Sequence, residues 1–130
     1  MMESEIINEM LDRVKDAPSA TNKIVNYLIS KLNKYEIYPV EHSIYWDADR
    51  HRVSTDIFLH FKYTPENWEL VKLVEEEILE NLFAEYYYCQ DHDTWTWQGY
   101  EWQPPTVRAW YKEDEKVIFL SIDQDVDYDR

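Results

Sequence analysis

Apolar residues recur at helical spacing in three stretches of this chain and alternate with polar ones in much of the rest. Ile6, Ile7, Met10, Leu11 and Val14 fall on one face of a 3.6-residue period, which predicts a short amphipathic helix over residues 3–15. Asp16-Ala17-Pro18-Ser19 breaks it. A second helix follows, capped by Ser19 or Thr21, with Ile24, Val25, Leu28, Leu32 and Tyr35 on its apolar face. Residues 38–45 read as extended with Pro39 at the start, Asp47-Ala48-Asp49-Arg50 as a polar turn, and residues 53–63 as the return strand of a hairpin. Thr64-Pro65-Glu66 is the chemistry of a helix start: a side-chain cap, a proline whose missing N–H is not needed, and an acid facing the positive end of the helix dipole. That helix is expected to reach about Tyr87, burying Trp68, Leu70, Val71, Val74, Ile78 and Leu82.

The remaining third reads as hairpins. Gly99 is the only glycine, and a two-residue turn at Gln98-Gly99 pairs Trp97 with Tyr100 and Trp95 with Trp102. The four rings then share one face and Thr96 and Glu101 the other, until Pro104-Pro105 ends the hairpin. Residues 107–111 and 116–122 form a second hairpin around Glu113-Asp114-Glu115. This order predicts an α+β fold over residues 1–130, one domain in which an antiparallel sheet built from hairpins packs against two or three helices. With 130 residues, 45% of them hydrophobic and 16% aromatic, the chain can bury a core despite its charge.

Charge changes the picture. The net formal charge is −14, and residues 64–130 carry −12 of it. Such a field repels nucleic acid and anionic membranes and attracts basic macromolecules or cations; the plainer alternative is that the acids serve solubility. The single cysteine, Cys89, leaves no internal disulfide framework, and no stretch reads as a signal peptide or a membrane span, so a reducing cytoplasmic setting is expected.

Two acidic arrays stand out. On the third helix, Glu66, Glu69, Glu76, Glu77 and Glu80 fall within a sector of about 100°, a stripe along an outer face. At the carboxy-terminal end, Asp123, Asp125, Asp127 and Asp129 alternate, so an extended chain points all four carboxylates the same way at about 6.6 Å intervals. A regular line of carboxylates can meet Lys and Arg side chains that otherwise grip phosphates. The alternatives are a solvated terminus and a divalent-cation site, although the glycine and distal glutamate of a calcium loop are missing. Trp95, Trp97 and Trp102 complete the expected partner-binding set, because aromatic side chains anchor interfaces; the alternative is that they are core.

Catalysis finds little support. One glycine rules out a phosphate-binding loop. Cys89, Asp91 and His92 lack a second ligand pair for zinc, Asp47 and Asp49 sit where a hairpin tip needs polar residues, and no orienting group accompanies the cysteine. In an ideal strand His60 shares a face with Phe58 and Lys62, which makes it a sheet-surface residue. No catalytic residue, metal or cofactor is expected.

Four segments taken together resemble the YezG-like immunity proteins that protect bacteria from polymorphic toxins. These are the amphipathic helix 22–35, the strand ending Asp56-Ile57-Phe58-Leu59-His60-Phe61, the acidic helix 68–86, and the final strand 119–129. The tryptophan-rich hairpin departs from that pattern. The small acidic profile is also similar to phage-encoded anti-restriction and anti-CRISPR proteins. Either resemblance implies a stoichiometric inhibitor covering the basic surface of a nuclease or other nucleic-acid enzyme, in part as a nucleic-acid mimic. The competing expectations are an assembly protein that oligomerises through the aromatic hairpin and a metal-dependent hydrolase.

Overall fold

The structure, a computed structural model, describes the backbone of residues 2–49, 52–84, 87–89, 94–97, 100–102 and 106–127, and the side chains of residues 5–49, 52–79 and 106–125. Helices α1 (Met2–Arg13), α2 (Ser19–Tyr35) and α3 (Pro65–Ala84) accompany strands β1 (Glu41–Ala48), β2 (Arg52–Lys62), β3 (Tyr87–Cys89), β4 (Thr94–Trp97), β5 (Tyr100–Trp102), β6 (Thr106–Lys112) and β7 (Val117–Asp127). This is the α+β arrangement of helices on an antiparallel sheet. The expected start of α3 is present: Thr64 Oγ1 accepts the Asn67 N–H at 3.0 Å, and Pro65 is its first residue.

Three local expectations need correction. Helix α3 stops at Ala84, and Tyr87–Cys89 pairs with Thr94–Thr96 as a strand; aromatic residues favour a pleated pairing surface, and here the pairing prevails over helical continuation. Helix α2 has no side-chain cap, with extended Pro18 at its amino-terminal boundary. Thr21, one of the two expected caps, is buried and bonds the sheet instead. The carboxy-terminal segment is no frayed end as far as Asp127, because it lies inside β7.

Strand β7 organises the sheet. One side pairs with β2 from Lys62↔Val117 to Arg52↔Asp127. The other side is shared between β6, over Val117–Asp123, and β5, at Val126 and Asp127. Strand β1 lies beyond β2, and β4 and β3 lie beyond β5, all antiparallel. The register Trp95↔Trp102 and Trp97↔Tyr100 is the one expected from the Gln98-Gly99 turn.

Alternation decides which sheet face is covered. Val53, Thr55, Ile57, Leu59 and Phe61 of β2 are buried while their neighbours are exposed or half-buried, and Ile118, Leu120, Ile122 and Gln124 of β7 are buried in the same sense. They meet Met10 and Val14 near α1, Ile24, Val25, Leu28 and Leu32 of α2, and Val71, Val74 and Ile78 of α3. All three helices therefore occupy one face. Two hydroxyls join the layers inside this core, Thr21 Oγ1 and Thr55 Oγ1 at 2.8 Å. Replacing Thr21 with Val is expected to cost about 1–3 kcal/mol, because the Thr55 hydroxyl is left buried without its partner. Adding Thr55→Val should recover most of that loss, and urea melts of the two single and the double variants measure the coupling.

Candidate functional site

The other face of the sheet carries no helix among the described residues. Its residues form rows set by register. Asp47, Ser54 and Asp125 make one row, and Tyr45, Asp56, Asp123 and Thr106 the next. Beyond them lie Ser43, Phe58, Ser121 and Arg108, and then Glu41, His60, Phe119 and Trp110. One end of the face is acidic and the other aromatic. Tyr45 is 59% exposed and Phe58 43%, so large apolar surface is left open beside the carboxylates. Trp110 stacks on Phe119 at 5.1 Å and His60 meets Phe119 edge-on at 4.8 Å, which fixes the aromatic end.

The closest acidic contact follows from strand chemistry. Tyr63 N–H donates to Lys116 O at the end of the β2–β7 ladder, so the odd residues of β2 make its hydrogen bonds to β7. Asp56 and Asp123 therefore face each other as a non-hydrogen-bonded pair, the position with Cα atoms only about 4.5 Å apart and side chains closest. At that distance hydrogen bonding between the two carboxyls favours a proton on Asp123. Asp123 is accordingly pushed up to about 6, first by that hydrogen bond, then by desolvation and by the charges of Asp56 and Asp125. Asp125 accepts from Ser54 Oγ at 2.6 Å. Among the described residues, no Lys or Arg forms an ion pair with Asp47, Asp56, Asp123 or Asp125.

Two outer strands of the sheet, β1 and β6, carry side-chain contacts that hinder strand addition. The Asp49 N–H to Arg52 O bond shows that the odd residues of β1 bond to β2. The Ile44 carbonyl therefore points to the free edge, where Arg13 Nε donates to it at 3.1 Å while its guanidinium lies 4.5 Å from the Trp46 ring. On β6 the Ala109 N–H points outward and is taken by Glu75 Oε2 of α3 at 2.9 Å. A side chain thus occupies the middle of each of these strands, the usual protection against edge-to-edge pairing. A partner can approach the face more readily than the free side of β1 or β6.

The anticipated site residues divide accordingly. Asp123 and Asp125 lie on the open face, with Asp127 in register between Arg52 and Glu101. Glu66, Glu69 and Glu76 are exposed on α3, on the far side of the sheet, and Glu69 pairs with Lys72 at 3.4 Å. The two acidic arrays therefore do not make one surface. Glu77 is not on the outer face at all. It is 12% exposed between α2 and α3, bonded to Lys34 Nζ at 2.8 Å and to the Tyr35 hydroxyl, with Lys31 Nζ at 3.5 Å. The Lys34 and Tyr35 hydrogen bonds hold it well below the usual carboxylate range, at about 2. Helical angle alone puts Glu77 in the acidic sector, and α2 covers that side of α3. The side chains of Glu80, Trp95, Trp97, Trp102 and Asp127, and Asp129 as a whole, lie outside the described residues.

Sequence reasoning missed Asp56, Tyr45 and Phe58. The alternation of residues 54–62 contained the signal, since it puts Asp56, Phe58 and His60 on one face, but it could not show that Asp123 would be the neighbour. Asp49, weighed as an acid or base, closes its turn by accepting the Arg52 N–H at 2.9 Å. Among the described residues no group of three His, Cys, Asp or Glu side chains is placed to hold a metal ion, and no helix is long and apolar enough to cross a membrane. A search of family models, curated proteins and solved structures finds no match to this chain.

Proposed function

We propose that this protein is a non-enzymatic binding protein whose open sheet face docks on the basic, nucleic-acid-binding surface of another protein and so excludes nucleic acid from it. The observation that carries this reading is the uncovered face itself. Among the described residues, carboxylates with no ion-paired Lys or Arg adjoin exposed aromatic rings there. The carboxylates steer and orient a basic surface, and Tyr45 and Phe58 supply the desolvated contacts that slow dissociation. Spacing along β7 of about 6.6 Å between Asp123 and Asp125 gives the charges a regular pitch. The net charge of −14 adds long-range attraction for the same class of partner.

The test is capture from lysate of the source cell at low salt and at about 0.5 M salt, followed by assay of the captured protein. The expected partner binds nucleic acid, is lost at high salt, and loses its activity in proportion to added protein up to one equivalent. A captured protein without nucleic-acid affinity, or one whose activity is unaffected at saturation, refutes the reading.

A further inference from the structure

We propose that engagement of the basic partner at this face is proton-gated: the face takes up its partner when Asp56 and Asp123 are both ionised and releases it on mild acidification. The inference rests on the proposed docking role and adds its regulation. Its basis is geometric. Antiparallel register makes Asp56 and Asp123 directly opposed neighbours at the close pair position, on the one sheet face without helical cover.

Among the described residues no Lys or Arg is ion-paired with either carboxylate. Tyr45 faces Asp56 from β1, with Asp47 one row along. Asp125 is the next outward-facing residue of β7, and Ser54 bonds it from β2. On β6, Thr106 is the register partner of Asp123, and Arg108 on the next row lies 4.8 Å from the Trp110 ring. The neighbouring acids and the absence of a paired cation favour retention of one proton by the couple. A guanidinium or ammonium group seated between the carboxylates provides the positive charge that the proton otherwise supplies, so binding expels the proton. By linkage, one proton released per partner bound makes affinity fall up to tenfold for each pH unit below the point at which the couple takes it up. Above that point affinity is at its plateau.

His60 lies on the same face, beside Glu41 at 3.2 Å, and histidine is the side chain that ordinarily gains charge in this range. A companion variant separates the two origins. The experiment measures association of the full chain with an oligoarginine peptide, whose charge is constant, between pH 7.5 and 5 at fixed ionic strength. Wild type should hold its affinity to about pH 6.5 and then lose roughly tenfold per unit. H60Q, whatever its affinity at pH 7.5, should show the same loss per pH unit, while D123N should bind more weakly at pH 7.5 and lose no more than about twofold down to pH 5. Equal slopes in wild type and D123N, or a slope that disappears in H60Q, overturn the proposal. Carboxyl carbon NMR on the free chain reads the couple without a partner. A step near pH 6 in the Asp123 carboxyl supports gating, and its titration below about 4.5 overturns it. Failure to bind the peptide at pH 7.5 overturns the docking role and the gate together, whereas tight binding that ignores pH overturns the gate alone.

Discussion

The variant D56K/D123K should lose at least a hundredfold in affinity for the basic partner, while E66K/E76K, with the same change in net charge, should lose only a few-fold. The comparison works because the two pairs lie on opposite sides of the sheet. Asp56 and Asp123 are within the open face, and Glu66 and Glu76 are on the solvent side of α3. Reversing charges that contact a partner costs about 2–5 kcal/mol through repulsion and lost pairing. Charges on the far side act through solvent over more than a Debye length of about 8 Å, so their effect should vanish in salt. Titration calorimetry at two ionic strengths, with melts to confirm folding, reads both. Equal losses in the two variants would mean that net charge alone drives association and that the sheet face is not the site.

The second large effect is on stability. Glu77→Ala should cost about 2–3 kcal/mol and lower the melting temperature by roughly 6–12 °C. Three groups converge on this carboxylate from α2, and its removal leaves the half-buried Lys31 and the Tyr35 hydroxyl facing a gap. Glu77→Gln should lose less, because an amide oxygen still accepts from Tyr35. The pH dependence follows from the direction of the shift. A carboxyl held at about 2 in the folded chain, against 4.5 ordinarily, contributes stability above about pH 4.5 and loses it as pH falls towards 2. Melts of wild type and E77A should therefore differ most near neutral pH and converge in strong acid. Asp123 works in the opposite sense: its raised titration point favours the folded chain as pH falls from about 6 towards 4. Near-identical melting of E77A and wild type at pH 7 would show that the α2–α3 contact is held by its apolar residues alone.

Much of the fold was legible because its signals are local. Thr64-Pro65-Glu66 announces α3, the 2-residue period of residues 53–61 announces β2, and the sequence reading of Gln98-Gly99 as a turn anticipates the observed β4–β5 register. The candidate site was legible only in half. The Asp123–Asp125 alternation is visible in the chain, but its meaning depends on β2 lying beside β7, a pairing between distant segments that no local pattern specifies. The same limit explains Glu77: helical angles place it correctly on α3, and only the docking of α2 turns that side inward. Thr21 shows the converse. A residue with good capping chemistry was recruited by Thr55 across the core, which a reading confined to neighbours along the chain could not anticipate.

The position of β7 also orders events in time. Ile57, Leu59 and Phe61 find their sheet partners in Ile122, Leu120 and Ile118, which are synthesised well after them. Until then β1 and β2 form at most a two-stranded ribbon, which is marginal in water, and β6 lacks its neighbour altogether. Closure of such a long loop precedes any reward from the contacts it brings, so the sheet should assemble late and in one step. The acidic couple is a product of that same closure. Asp56 meets Asp123 only when the central strand is in place, so a chain grown no further than β6 presents scattered carboxylates and the folded sheet presents them as a pair.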